Sequence, residues 1–293
     1  MKISCQPLLG PRGLLGAVDW LEAVLLGVIQ GLTEWLPVSS SGHLAIAQRY
    51  MGQVPMVVDI MLHFGTMLVL LVYFRKEAGM VGRSAGGVLR DVSRGTGWGP
   101  AINKDAERKL SFLIVLAILP TAALALAFRY LFGDGLFANL PVIAAGFAVS
   151  GAMLALCGAL KKGARSHDGL SVRDSIAVGT AQGIAFLPGF SRSGLTISTG
   201  MLGGLEAETA GRYSFLIMLP AVLGAMVLSI PDVGSLPTDV LVMGLAGMAV
   251  AMAVGWLSLG LLMRILKRGG IHWFAPYCFA ACAATVLMAL GYI

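Results

Sequence analysis

Glu34, His43 and Arg192 are ionisable residues in a strongly apolar chain, each set among serine, glycine and proline. Ionisable groups are costly at membrane depth, so in such a chain they are functional candidates by default. Gln30 and Glu34 stand four apart on one helix face, just before a break at Pro37. Ser39, Ser40, Ser41, Gly42 and His43 follow, and a second run carries Gly189, Ser191, Arg192, Ser193, Gly194 and Thr196. Together they offer a carboxylate, an imidazole, a guanidinium and a set of hydroxyls. That set suits phosphate. Arginine gives planar, bidentate donors to phosphate oxygens, and N–H groups at a helix start add to them. Gly42, Gly189 and Gly194 permit the backbone angles that aim successive N–H groups at one anion. Glu34 is suited either to a divalent cation such as Mg²⁺, which takes one or two carboxylates plus substrate phosphates, or to general base catalysis. His43 is suited to proton transfer at neutral pH, and Ser39 or Ser40 to attack on phosphorus beside a base.

Plainer readings stand beside these. Serine and glycine commonly mediate helix packing in membranes, and Arg192 could simply pair with Glu34, since intramembrane charges often pair with one another. Asp59 and His63 form a further i,i+4 pair, whose spacing favours a structural hydrogen bond. His167 and His272 lie at loop positions and carry little signal.

The two polar runs are copies of one another at an offset of 152 residues: Gln30, Ser39, Ser41 and Gly42 correspond to Gln182, Ser191, Ser193 and Gly194. Interrupted hydrophobic segments at matching places in two halves point to a site at the midplane of a membrane protein. Pro37 and Pro188, with the neighbouring serines and glycines, stop a helix midway. Each run therefore reads as a re-entrant helix-loop-helix hairpin, at about 18–52 and 174–205, rather than as a short spanning helix. Three apolar segments follow each: 56–74, 110–130 and 140–160, then 210–230, 240–263 and 273–291.

Composition sets the class. Hydrophobic residues make up 57% and charged residues 12% of the 293, with a mean hydropathy of +0.83; soluble chains average about 25% charged. The net charge of +6 is confined to particular loops, which reports orientation and not a nucleic-acid partner. Lys and Arg crowd 75–109, 161–173 and 264–268 and are absent from 132–139 and 231–239, so the first set is expected to be cytoplasmic. Three crossings per half is an odd number, so the second half must lie inverted. The expectation is an all-α polytopic membrane protein, an inverted-topology repeat of six transmembrane helices plus two re-entrant hairpins. It forms one membrane domain, with repeats at about 14–162 and 172–293. Residues 1–13 read as a tail, since they lack the apolar region and cleavage site of a signal peptide. The cysteines form no CxxC pair, and Cys157, Cys278 and Cys282 lie in apolar segments as small hydrophobes.

Gln30-x-x-x-Glu34, Pro37-Val-Ser39-Ser40-Ser41-Gly42-His43 and Pro188-Gly189-Phe190-Ser191-Arg192-Ser193-x-x-Thr196 resemble the signatures of the undecaprenyl-diphosphatase (bacitracin-resistance) family. The resemblance covers the chain from about Trp20 onward in motif order, span count and spacing. It implies a multi-pass phosphatase of the cell inner membrane that converts undecaprenyl diphosphate to the monophosphate and inorganic phosphate. It implies a divalent cation, Mg²⁺ or Ca²⁺, and a homodimer. It makes Glu34 the essential carboxylate, His43 the essential imidazole, Ser40 the nucleophile or substrate contact and Arg192 the phosphate clamp. Ser39, Ser191, Ser193 and Thr196 supply hydroxyls around the diphosphate. The family takes Glu or Gln at the Gln30 position, and Gln30 here removes a second carboxylate from the cation. The rival class is a transporter or flippase of a polyprenyl phosphate, because inverted repeats with broken helices are also a transporter architecture. Type-2 phosphatidic acid phosphatases share a Ser-Gly-His motif. Their second motif carries a histidine several residues after Ser-Arg, which 193–199 lacks.

Overall fold

The computed structural model describes residues 19–51, 54–136, 139–160, 163–233 and 237–293; the tail at 1–13 lies outside them. The described residues are helical and contain no named strand. In order they form α1 (Trp20–Trp35), α2 (Ser40–Met51), α3 (Met56–Tyr73), α4 (Arg75–Ser93), α5 (Trp98–Ile102), α6 (Ala106–Phe132) and α7 (Leu140–Ala159). There follow α8 (Val172–Ile184), α9 (Arg192–Leu202), α10 (Ala207–Val233), α11 (Thr238–Lys267) and α12 (Ala275–Ala289).

Five described segments are long and apolar enough to cross a bilayer: Met56–Tyr73, Ala106–Phe132, Leu140–Ala159, Thr238–Lys267 and Ile271–Ala289. The protein is thus polytopic. Helix α10, 27 residues long, coincides with the expected segment at 210–230. Helices α1, α2, α8 and α9 have 16, 12, 13 and 11 residues, short of the ~20 that a crossing needs.

Local chemistry sets the ends of the short helices. Pro37 disfavours helical angles at the residue before it, and Leu36 leaves α1 in an extended conformation at φ −61°, ψ 141°. Ser171 and Asp174 form a capping box that starts α8. Ser191 caps α9 by accepting the Gly194 N–H at 3.1 Å.

Glycines let these helices sit close to their neighbours. A Cβ on Gly31 would come within 2.8 Å of the Ala251 carbonyl oxygen on α11, and one on Gly179 would collide with that of Ala117 on α6. Gly27 and Gly183 make matching approaches to Gly247 and to Leu124 and Pro120. Positions 152 apart in sequence thus hold α1 against α11 and α8 against α6. The main core fills the space between, with Trp35, Phe74, Tyr213 and Phe215 fully buried and Trp35 edge-on to Phe215 at 5.7 Å.

The basic stretch after α3, expected as a loop, folds instead into α4 and α5. Ser84 and Val88 are buried, while Arg75, Lys76, Arg83 and Arg90 stay exposed. The helix is amphipathic, and its charge density masks that period in the sequence. Asp91 ties it to α6 through Arg108 at 2.7 Å.

Adding a side chain at Gly179 must push α8 from α6, so Gly179→Val is expected to destabilise the protein by about 1–3 kcal/mol. A Cβ on Gly82 in α4 meets nothing within 4 Å, so Gly82→Ala should be neutral or stabilising by up to ~1 kcal/mol. Thermal unfolding of the two variants in detergent checks the pair.

Asp174 anchors the loop before α8. Arg165 donates to its two carboxylate oxygens at 2.9 and 2.8 Å, and the Ser171 hydroxyl donates at 2.6 Å. Burial pushes the Asp174 carboxyl up, but the Arg165 fork and the Ser171 donors outweigh it and hold the group below its ordinary 3.8. A depressed carboxyl stabilises fully above the unfolded value and stops doing so as pH falls through the lower folded value. Asp174→Asn should therefore lower the melting temperature at pH 7, and the gap to wild type should close as the pH is taken below 3.8.

Candidate active site

Glu34 lies in the last turn of α1 with its side chain 5% exposed. Its Oε2 accepts from Gln30 Nε2 at 3.1 Å and from Ser40 Oγ at 2.5 Å. Gln30 shares its amide with Thr66 Oγ1 on α3 at 3.3 Å, and its Oε1 is buried with no partner. Two further groups flank the carboxylate. Arg192 NH1 is 3.8 Å from Oε1 and His63 Nε2 is 3.7 Å from Oε2. Both lie beyond hydrogen-bond reach, so Glu34 attracts these donors without consuming them.

The helix breaks meet at this point. A Cβ on Gly42 would lie 3.1 Å from the Gly189 Cα, and one on Gly194 would lie 3.4 Å from the Pro37 Cβ. Ser193 Oγ reaches the Leu36 carbonyl at 3.5 Å. The structure therefore brings Gln30, Glu34, Ser40 and Arg192, from opposite halves of the chain, to one place.

The three glycines serve different purposes. Gly189 has φ +85° and supplies the unusual turn expected of it. Gly42 and Gly194 lie inside helices without positive φ, and their role is close approach. Their N–H groups are taken by the Ser39 and Ser191 hydroxyls at 3.3 and 3.1 Å, so these two are not aimed at an anion. The left-handed residue of the first break is Ser39, at φ +70°. A non-glycine residue there stores strain, which proteins concentrate at functional sites.

The remaining hydroxyls are placed differently. Ser39 and Ser41 lie 3.4 Å apart, as do Ser191 and Ser193. Thr196 is fully buried and bonds the Arg192 carbonyl at 2.7 Å and the Ser214 hydroxyl on α10. It braces the turn that carries Arg192.

His43 points toward α7 and α12. Nδ1 donates to the Ser39 carbonyl at 2.7 Å, because a carbonyl can only accept, and Nε2 then accepts from the Tyr277 hydroxyl at 2.7 Å. The ring also lies edge-on to Phe147 at 5.3 Å and stacks on Tyr277 at 5.7 Å. Both ring nitrogens are engaged, and Tyr277 was not legible as a partner, since it stands 234 residues away.

His63 makes the i,i+4 hydrogen bond to Asp59 that its spacing favours, but to the backbone and not to the carboxylate. Its Nδ1 bonds the Asp59 backbone carbonyl at 2.8 Å, whereas the Asp59 carboxylate accepts from Gln48 on α2 at 2.8 and 2.9 Å. That leaves Nε2 turned to Glu34. An ionisable residue inside an apolar span was the available signal.

A polytopic helical membrane protein with a carboxylate, a hydrogen-bonded serine and an arginine whose guanidinium pairs with that carboxylate at 3.8 Å at meeting helix breaks has the equipment of a phosphate-handling membrane enzyme. Residues 23–284 match the family model described as Bacitracin resistance protein BacA, and the chain belongs to that family. It is 41% identical to a protein of Desulfosudis oleivorans named undecaprenyl-diphosphatase, over 88% of this chain and 94% of that one. Proteins of the same name from Syntrophotalea carbinolica and Korarchaeum cryptofilum are 38% and 36% identical, covering 89% and 88% of this chain and 96% and 94% of theirs.

The two capping serines differ from their neighbours in what they hold. Ser191→Ala removes the α9 cap and should cost about 1 kcal/mol of stability. Ser193→Ala, which loses only long contacts of 3.4 Å to Ser191 and 3.5 Å to the Leu36 carbonyl, should cost clearly less; thermal unfolding of each in detergent distinguishes them.

Proposed function

We propose that this protein hydrolyses undecaprenyl diphosphate to undecaprenyl phosphate and inorganic phosphate, returning a lipid carrier to cell-wall synthesis. The observation that carries the reading is the Ser40–Glu34 hydrogen bond of 2.5 Å set beside the Arg192 guanidinium, 3.8 Å from the same carboxylate. The name borne by relatives over most of their length supports it. A base in contact with a hydroxyl is the arrangement that activates a serine nucleophile.

Arg192 holds the terminal phosphate through bidentate donors. Ser40 Oγ attacks the terminal phosphorus in line while Glu34 takes its proton. The bond from that phosphorus to the bridging oxygen breaks, and undecaprenyl phosphate leaves with the electron pair. Glu34 passes that proton to the departing undecaprenyl phosphate. Water then attacks the phosphoserine, giving a proton to Glu34; the bond from phosphorus to Ser40 Oγ breaks, and Glu34 returns the proton to Oγ as phosphate leaves. His43, pinned between Ser39 and Tyr277, orients the strained Ser39 turn from which Ser40 projects. Positioning and charge stabilisation are most of what phosphoryl transfer needs.

A divalent cation fits the donors present. The orphaned Gln30 Oε1, the Glu34 carboxylate and the Ser40 hydroxyl are hard oxygen ligands. Mg²⁺ binds through few protein groups and keeps its waters; Ca²⁺ accepts the same donors. When bound, the cation supplies neutralisation of the diphosphate charge. Among the described residues no group of three or more His, Cys, Asp or Glu gathers to hold a metal.

The same reading extends to architecture. Helices α1–α2 and α8–α9 are re-entrant hairpins, α10 is the sixth crossing, and the two halves are inverted repeats. The matching glycine contacts on α11 and α6 and the matching serine caps support this. The assembly is a homodimer in the cell inner membrane, as the family resemblance implies.

Phosphate release from undecaprenyl diphosphate by the purified protein in detergent with Mg²⁺ tests the function. Arg192→Ala and Glu34→Ala should each reduce it by at least about 100-fold, and Ser40→Ala should abolish a trappable phosphoenzyme. A folded wild type that releases none while moving a polyprenyl phosphate across vesicles would establish the transporter instead.

A further inference from the structure

His63 lies on α3, a helix outside both motif runs, and none of the sequence signatures includes it. Its position is nonetheless that of a partner to Arg192. The two flank Glu34 on opposite oxygens, at 3.7 and 3.8 Å. Their side chains are 31% and 32% exposed, while that of Glu34 is 5% exposed. The carboxylate is therefore the floor of the site, and the two nitrogen-bearing groups form its walls.

Both walls pair with Glu34 by charge alone, at 3.7 and 3.8 Å. The Arg192 guanidinium and His63 Nε2 lie beyond hydrogen-bond reach of the carboxylate between them. The His63 ring cannot turn its other nitrogen inward, because Nδ1 is held by the Asp59 carbonyl at 2.8 Å. Asp59 is fixed in turn, by two hydrogen bonds from Gln48 on α2. This chain ties α2 to α3, and it fixes Nε2 toward Glu34 whether or not a ligand is present.

We propose that His63 is a second phosphate contact of the site, with Nε2 donating to a diphosphate oxygen across Glu34 from Arg192. A diphosphate carries non-bridging oxygens on two phosphorus atoms, and two donors separated by a carboxylate can each take one phosphate. Nδ1 donates to the Asp59 carbonyl, so the form that donates from Nε2 to a phosphate oxygen is the imidazolium, which carries a proton on both nitrogens. This inference rests on the phosphatase reading for its substrate, but its test does not require turnover.

The probe is farnesyl methylene-diphosphonate, a nonhydrolysable diphosphate with a short prenyl chain, titrated calorimetrically into the detergent-purified full chain. Two variants separate a donor from a packing role. His63→Gln keeps an N–H donor of similar reach, whereas His63→Leu keeps only bulk. The expected result is a loss of about 10- to 100-fold in affinity for His63→Leu, the scale of one charge-assisted hydrogen bond, with most of it regained in His63→Gln. Both variants should elute and melt as the wild type does. Wild-type affinity in His63→Leu, or equal losses in both folded variants, would overturn the donor role. A His63→Leu that does not fold, beside a His63→Gln that folds and binds, would assign the residue to structure and also overturn it. Failure of the wider reading looks different: a wild type that binds the probe and releases no phosphate from undecaprenyl diphosphate would refute hydrolysis, while His63 would still stand or fall by the binding ratio.

Discussion

A helix broken inside a membrane exposes backbone N–H and C=O groups that lipid cannot satisfy, each at a cost of several kcal/mol. Every feature of this centre depends on meeting that demand. The Leu36 carbonyl accepts both from the Val38 N–H, at 2.7 Å across Pro37, and from Ser193 of the other break. The Pro37 carbonyl faces the Cys278 thiol at 3.4 Å. The Ser191 N–H is met by Ser150 Oγ at 2.9 Å, and serine hydroxyls cap the helices that resume. The breaks are thus completed by each other and by α7 and α12.

That closure also determines the chemistry. Because α1 stops at Trp35, Glu34 ends a helix at the point where Ser40 begins the next one, and the two side chains converge. Because α9 starts at Arg192, its guanidinium emerges beside the same carboxylate. A continuous helix through either segment would carry these groups past one another. The strained Ser39 turn belongs to this arrangement: its carbonyl fixes His43, and its hydroxyl caps α2.

The sequence made the long helices legible because each is an uninterrupted apolar run, and it made the breaks legible because proline, serine and glycine act locally. Expected bounds of 56–74 and 140–160 became Met56–Tyr73 and Leu140–Ala159. Helix α4 was hidden because its arginines and glycines read as loop when the buried stripe of Ser84 and Val88 is not seen against α6. His63 and Tyr277 were hidden for another reason. Their partners are 29 and 234 residues away, and no local rule reports a contact made by packing. At Asp59 the local rule held for the residue pair, since His63 bonds its backbone carbonyl, while the carboxylate found Gln48 on another helix.

The two halves share a scaffold and divide the chemistry. Gln30 and Gln182 both end with a buried, partnerless carbonyl oxygen, and Ser39 and Ser191 both cap the helix that follows. The correspondence stops at the reacting positions. At the same 152-residue offset, Glu34 faces Phe186 and Ser40 faces Arg192. One half therefore carries the carboxylate and the hydroxyl, and the other carries the guanidinium at the very position where its counterpart carries the hydroxyl. Neither half holds all three groups, and they come together only where the breaks touch, so the packing that satisfies the broken backbone also assembles them.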